Sequence, residues 1–261
     1  MSSSPAVVLI AGCSEGGIGF AAAKEYASRG CKVHATARRL ETMESLTHAN
    51  AERLKLDVTD EPGVKAAVEH VIKKEGRIDI LFNNPGITCS VADISFERIQ
   101  RTFDTNLHGI IHMSQTVIPH MAPRKRGTIV NIGIYAASKA AVHSLSDSRW
   151  QKCRPLGISI VLVSSGDVGH HEEPQLADNM SVPPTTLYTD YLGVIREDFQ
   201  ASRTDIGMPL PQYARDLIAN ILVRSGLFII GLLKRIPRGI LLRLLWSLLV
   251  ERRREQLAKA K

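Results

Sequence analysis

The chain has 261 residues, 44% of them hydrophobic and 23% charged, which excludes a disordered chain, a collagen-like fibre and a polytopic membrane protein. Aromatic residues make up only 5%, too few for a platform that stacks single-stranded nucleic acid. The net charge of +7 is uneven: residues 217–261 carry ten Lys/Arg against two Asp/Glu, which leaves the remainder at −1, so a basic tail and no nucleic-acid partner are expected.

Short β-branched runs alternate with helical patterns over the first two-thirds of the chain. Residues 6–11 form the first predicted strand. The loop Gly12-Cys13-Ser14-Glu15-Gly16-Gly17-Ile18-Gly19 follows and opens a helix over 18–29. Glycines there let the backbone turn tightly beside a pyrophosphate, and the helix N-terminus adds N–H donors and the positive end of its dipole. Gly12, Ser14, Gly17, Ile18 and Gly19 are therefore candidate cofactor contacts. A second strand, 32–37, ends at Ala37, where a carboxylate would take the ribose hydroxyls of NAD. Arg38 and Arg39 come next, and guanidinium groups at this point suit a 2′-phosphate, which favours NADP.

A third strand is read at 53–58, with Asp57 at its end to accept from the adenine amine. A helix over 61–75 follows, with Val64, Ala67, Val68 and Val71 on one face. Strands at 78–83, 128–132 and 158–164 alternate with helices at 96–120 and 135–153. All six strands read as apolar runs buried on both faces. Right-handed crossovers then give a single-domain, doubly wound parallel sheet of the Rossmann-like α/β class, with its ligand crevice at the C-terminal strand ends. Between 166 and 209 the pattern weakens around Pro174, Pro183 and Pro184, with one helix at 191–201. Leu227 to Ile230 reads as a seventh strand, so the domain is expected to span 1–231.

Several spaced motifs agree: Gly12 with Gly17-Ile18-Gly19, Leu56-Asp57-Val58, Asn83-Asn84-Pro85-Gly86, Asn106, and Tyr135-Ala136-Ala137-Ser138-Lys139. Over residues 6 to about 170 the set resembles the short-chain dehydrogenase/reductase family. The doublet Gly16-Gly17, residues 37–41 and the apolar tail are most similar to the fungal NADPH-dependent 1-acyldihydroxyacetone-phosphate reductase-like members. The resemblance implies that Tyr135 exchanges a proton with the substrate oxygen, that Lys139 lowers the tyrosine pKa and holds the ribose, and that Asn106 supports a water relay. It also implies cofactor contacts at Asn84, Gly86 and Val168. The chemistry is consistent: a phenol with a pKa of about 10 is a poor acid–base group at neutral pH, and an ammonium four residues along the same helix face favours its phenolate.

The sequence departs from the family at one place that matters. The family's catalytic serine lies about a dozen residues before the tyrosine, whereas Tyr135 here follows the strand after only Gly133 and Ile134. Loss of such an oxyanion donor costs about 10²–10³ in rate. Ser138, Ser164 and Ser165 are the candidates to replace it. Pro85 stands where alanine is usual and removes an N–H, and Ser165-Gly166 stands where the family has Pro-Gly. Three readings stay open: a working reductase with rearranged support, an NADP-binding relative with weakened or lost turnover, and a reading frame that has lost a short coding segment. The clean break between two intact motifs favours the last.

The tail, 232–261, is apolar and basic. Residues 239–250 have helical character with a narrow polar stripe, and Lys234, Arg235 and Pro237 interrupt the run before it reaches the roughly 20 apolar residues of a spanning helix. Arg252-Arg253-Arg254 suits anionic headgroups, so peripheral contact with a membrane or lipid surface is expected. The four cysteines form no CxxC pair, and no signal peptide is read, so a reducing, cytoplasmic setting is expected, with the endoplasmic reticulum or lipid droplets as the surface. His170-His171 before Glu172-Glu173 reads as a surface loop, and no metal is expected. The substrate is expected to be an apolar ketone or secondary alcohol; self-association stays open.

Overall fold

The computed structural model describes residues 4–86, 96–132, 136–163, 168–169, 208–223 and 228–230. The chain divides into two compact units, Met1–Ile229 and Ile230–Lys261; Ile230 apart, the second lies outside the described residues, as do the predicted helix at 191–201 and the pair His170-His171.

Strand β1 (Val7–Ala11) is buried along its whole length. It is flanked by β2 (Lys32–Ala37) and β4 (Ile80–Asn83), both parallel to it, with Val8 opposite Val33 and Ile80. Outside β2 lies β3 (Ala51–Lys55); outside β4 lie β5 (Gly127–Ile132) and β6 (Ile158–Val163), again all parallel. A short strand β9 (Phe228–Ile230) completes a seven-stranded sheet of order β3-β2-β1-β4-β5-β6-β9. A separate two-residue pair joins β7 (Val168–Gly169) and β8 (Met208–Pro209). The order reverses between β1 and β4, the switch point at which doubly wound sheets open a crevice.

Side chains alternate across the strands and so feed two layers. Val7, Leu9 and Ala11 face Val64, Val68 and Val71 of α2 (Glu61–Glu75) and Met113, Val117 and Met121 of α4 (Gly109–Met121). On the other face α1 (Ile18–Ser28) packs against α6 (Leu210–Val223), and Tyr26 of α1 meets Phe82 of β4 edge to face at 6.2 Å. Helix α5 (Ala136–Cys153) lies along β6, where Val142 packs with Ile110 and Leu162. Each such aliphatic side chain, fully buried, contributes about 1.5–3 kcal/mol.

Two expectations are corrected. The third strand spans Ala51–Lys55 rather than 53–58, and none of its five residues is fully buried. It is the edge strand, so it needs no apolar run on both faces. Leu56 and Val58, which drew the prediction forward, are buried in the turn that leads to α2. The predicted helix at 96–120 is also not uniform. It consists of α3 (Phe96–Phe103), a π-helical turn (Asp104–His108) and α4.

One carboxylate ties the N-terminal end of the sheet together. Asp79 accepts from the Val7 N–H at 3.0 Å, Arg77 Nε at 2.9 Å and Arg124 Nη1 at 2.9 Å. Burial raises its pKa, but the Val7 amide and the two guanidinium groups outweigh that and hold the carboxyl below its ordinary 3.8. A depressed folded-state value means stability that is fully present above pH 3.8 and is lost as pH falls through the lower folded value. Asp79→Asn is predicted to cost about 1–3 kcal/mol at neutral pH. Urea unfolding should show the gap between wild type and variant closing in acid.

Candidate cofactor and catalytic site

The glycine loop is set by close backbone approach. Gly12 has φ +82° and Gly16 φ +81°, a region that side-chain-bearing residues rarely adopt. A Cβ on Gly12 would lie 2.9 Å from Pro85 Cα, and one on Gly19 would lie against the Gly12 carbonyl and 2.9 Å from Asn84 Nδ2. The Gly12 carbonyl accepts from Asn84 Nδ2 at 2.8 Å, and the Gly12 and Cys13 amides donate to the Thr36 carbonyl at 3.0 and 2.9 Å. The loop is thus held between the ends of β2 and β4. Gly17 is the N-cap of α1 and supplies no side-chain cap, and no acidic residue sits in the first turn. The N–H groups that open α1, at Ile18 and Gly19, have no partner within the helix and carry the positive end of its dipole.

Cys13 lies inside this loop with no exposed surface. Its thiol points at the Ile10 and Gly19 carbonyls, and burial pushes its pKa up to about 12. It is a packing residue, not a nucleophile.

Arg38 and Arg39 follow β2 and are exposed. The Arg39 carbonyl accepts from Thr42 Oγ1 at 2.7 Å, and Thr42 Oγ1 lies 3.2 Å from Ser14 Oγ. This link fixes the arginine pair relative to the glycine loop. Asp57 lies two residues beyond β3, not at its end, and its Oδ1 accepts from both the N–H and the hydroxyl of Thr59. Asn84 is buried, and its Oδ1 has no hydrogen-bond partner. Gly86 ends the described part of that loop. Val168 lies on β7, opposite Met208.

Asn106 is 3% exposed, within the π-helical turn. Its Nδ2 donates to Ser138 Oγ at 3.3 Å. Ser138, equally buried, sits on the first turn of α5 beside Lys139. Ser164, Ser165 and Tyr135 lie outside the described residues, as does the side chain of Lys139. The backbone nonetheless fixes one fact: β5 ends at Ile132 and α5 begins at Ala136, so three residues join them.

Sequence reasoning missed a second fastening of α5. Asn83 Nδ2 donates to Asn131 Oδ1 at 3.0 Å, and Asn131 Nδ2 donates to Ser146 Oγ at 3.1 Å, all three buried. The chain crosses β4, β5 and α5. Asn131 on a predicted buried strand was the available signal, since a buried amide requires partners. Thr42 was also missed, and nothing in its spacing marks it.

The residues fit a dinucleotide. Uncapped N–H groups at a glycine-lined turn suit a pyrophosphate, the exposed Arg38 would suit an added phosphate, and the unfilled Asn84 Oδ1 offers an acceptor at the same crossing. Fold and site together define a doubly wound nucleotide-binding protein. Comparison with known proteins narrows this. The short chain dehydrogenase family model matches residues 6–177. The chain is 35% identical over 209 residues to the NADPH-dependent 1-acyldihydroxyacetone phosphate reductase of Schizosaccharomyces pombe, covering 73% of this chain and 70% of that one. It is 34% identical over 235 residues to the short-chain dehydrogenase PC-15 of Penicillium crustosum, covering 84% and 85%. A crystal structure of a short-chain dehydrogenase from Streptomyces avermitilis superposes with a TM-score of 0.70 at 24% identity, covering 99% of this chain and 97% of that one. The chain belongs to the short-chain dehydrogenase family.

Gly19→Ala puts a methyl group against the Gly12 carbonyl. It is predicted to cost about 1–3 kcal/mol of stability and to abolish dinucleotide binding in a fluorescence titration. Gly30→Ala, at the other end of α1, meets nothing within 4 Å but has φ +81°; it should lower stability and leave that binding intact.

Proposed function

We propose that the chain is an NADP(H)-dependent oxidoreductase that interconverts a ketone and a secondary alcohol on an apolar substrate, lipid-like or polycyclic. The observation that carries this reading is the seat of Asn106. A buried amide in a π-helical turn, a feature frequent at functional sites, is bonded to the hydroxyl that precedes Lys139 in the sequence. Exposed Arg38 and the relative named as NADPH-dependent support NADP over NAD.

In this reading Gly12, Ser14, Gly17, Ile18 and Gly19 hold the pyrophosphate. Arg38 and Arg39 hold the 2′-phosphate, and Asp57 accepts from the adenine amine. Asn84, Gly86 and Val168 complete the contacts. The reduced nicotinamide, when bound, supplies the hydride for the carbonyl carbon. Tyr135 donates a proton to the carbonyl oxygen during reduction and takes it back from the hydroxyl during oxidation. Lys139 favours the phenolate by its charge and binds the ribose. Asn106 supports proton return to Lys139 through water.

A second reading is an NADP-binding relative with impaired turnover. It is favoured by the three-residue connection between β5 and α5, which has no room for the family's serine-bearing loop. We further assign 1–231 to the catalytic domain and 232–261 to a tail that rests on a lipid surface. Among the described residues no helix is long and apolar enough to cross a membrane, and the tail itself lies outside them.

The test is Tyr135→Phe, assayed by NADPH consumption with 1-acyldihydroxyacetone phosphate and with polycyclic ketones. The first reading expects wild-type turnover, its loss in the variant, and unchanged NADPH binding. Saturable NADPH binding with no turnover by the wild type on any of these ketones would establish the second reading instead.

A further inference from the structure

Away from the cofactor cleft, six charged or titratable side chains meet where β2, the edge strand β3 and the C-terminal half of α2 come together. His34 on β2 lies opposite Glu52 on β3, and His70, Lys74 and Glu75 come from α2. Lys32 begins β2.

We propose that His34, Glu52 and His70 form a site for one divalent transition-metal ion of the zinc class. One ligand atom from each of the three lies within 4.8 Å of the others. The Glu52 carboxylate sits between the rings, with Oε2 2.8 Å from His34 Nδ1 and Oε1 3.2 Å from His70 Nε2. The first of these contacts is unusual. His34 is 2% exposed, and despite their proximity neither its Nδ1 nor Glu52 Oε2 makes a hydrogen bond. Two buried donor atoms that are close but not aimed at each other are arranged as neighbours around a third atom. Glu52 Oε2 has the Lys74 ammonium 3.2 Å away, but His34 Nδ1 is left without a partner, and a cation shared with Glu52 would supply one.

The outer partners fit as well. The other ring nitrogen of His34 faces Glu75 Oε1 at 3.5 Å, and Lys32 Nζ holds Glu75 Oε2 at 2.7 Å. A carboxylate behind a histidine fixes its tautomer and orientation at metal sites. Two imidazoles and one carboxylate, with a fourth position open to solvent, form a set that zinc accepts. Half-exposed His70 and partly exposed Glu52 give the ion a way in. Lys74 Nζ, 3.2 Å from Glu52 Oε2, competes for the same carboxylate. Its side chain is 52% exposed, so it can swing into water when a dication arrives. Because the three ligands come from β2, β3 and α2, the ion would clamp the edge strand and α2 to the strand that leads into Arg38. These residues are 18 apart at each step along the chain, so no sequence spacing reveals them.

The test uses the full chain, stripped with a chelator and titrated with Zn²⁺ by calorimetry and with Co²⁺ by visible absorption. One equivalent of Zn²⁺, four-coordinate Co²⁺ bands and a rise in Tm with Zn²⁺ are expected. His70→Ala and Glu52→Gln should each weaken binding at least tenfold, and Glu75→Gln by about 10–100-fold. His48→Ala, an exposed histidine outside the cluster, should leave it unchanged. Both ligand variants alter partly exposed residues, and circular dichroism of the metal-free proteins checks their folding. Absence of stoichiometric Zn²⁺ uptake overturns the site, as does full-strength binding retained by either ligand variant; a charge cluster alone, or an ion held elsewhere, then accounts for the data.

Discussion

The carbonyl of Gly12 is the point on which the site turns. It receives the Asn84 amide and leaves no space for a side chain on Gly19. The ends of β1 and β4 and the start of α1 are thereby brought to backbone contact. That contact sits where the strand order reverses, and it directs the uncapped N–H groups of α1 into the crevice. A larger residue at either glycine would part the elements and close the anion site. The surrounding polar links, from Ser14 through Thr42 to the Arg39 carbonyl, carry the same constraint outward to the arginine pair.

The catalytic half is positioned by a different device. Helix α5 is held by two buried hydroxyls, Ser138 against Asn106 and Ser146 against the Asn131–Asn83 pair. They lie two helical turns apart and so fix the helix both along and about its axis. With only three residues between β5 and α5, these fastenings, rather than a long preceding loop, set where α5 begins. This buried network specifies position as well as stability, with Asn83 Oδ1 left without a hydrogen-bond partner. The same shortness leaves no room for a serine-bearing loop between β5 and α5.

Much of the fold was legible because its strands are buried on both faces. The prediction placed β2 at 32–37 and α2 at 61–75, as the structure has them. It failed where burial is one-sided: β3 begins at Ala51 and carries Glu52 and Arg53, while Leu56 and Val58 pack beyond it. Helix 96–120 had the right extent, but period alone does not reveal a π-helical turn, which adds one residue without changing composition. At the site, the glycine loop was readable from the chemistry of tight turns, whereas Asn106 was named only through the family resemblance. Thr42, Ser146 and the His34–Glu52–His70 group were not, since their partners lie on other elements, at separations that no helix or strand period links. Asp57 was placed in the right region, but its engagement with Thr59 depends on a turn that pattern does not predict.

Nucleotide selectivity in the crevice is the property on which the proposed chemistry depends. Parallel equilibrium titrations of the full chain with NADPH and NADH, repeated on Arg38→Ala, measure it. The predicted result is saturable one-to-one binding of NADPH, weaker binding of NADH, and a preference that shrinks in the variant, because the 2′-phosphate loses a charge-assisted partner worth about 1.5–3 kcal/mol. Absence of saturable binding by either nucleotide, or equal affinity for both in the wild type, would contradict it.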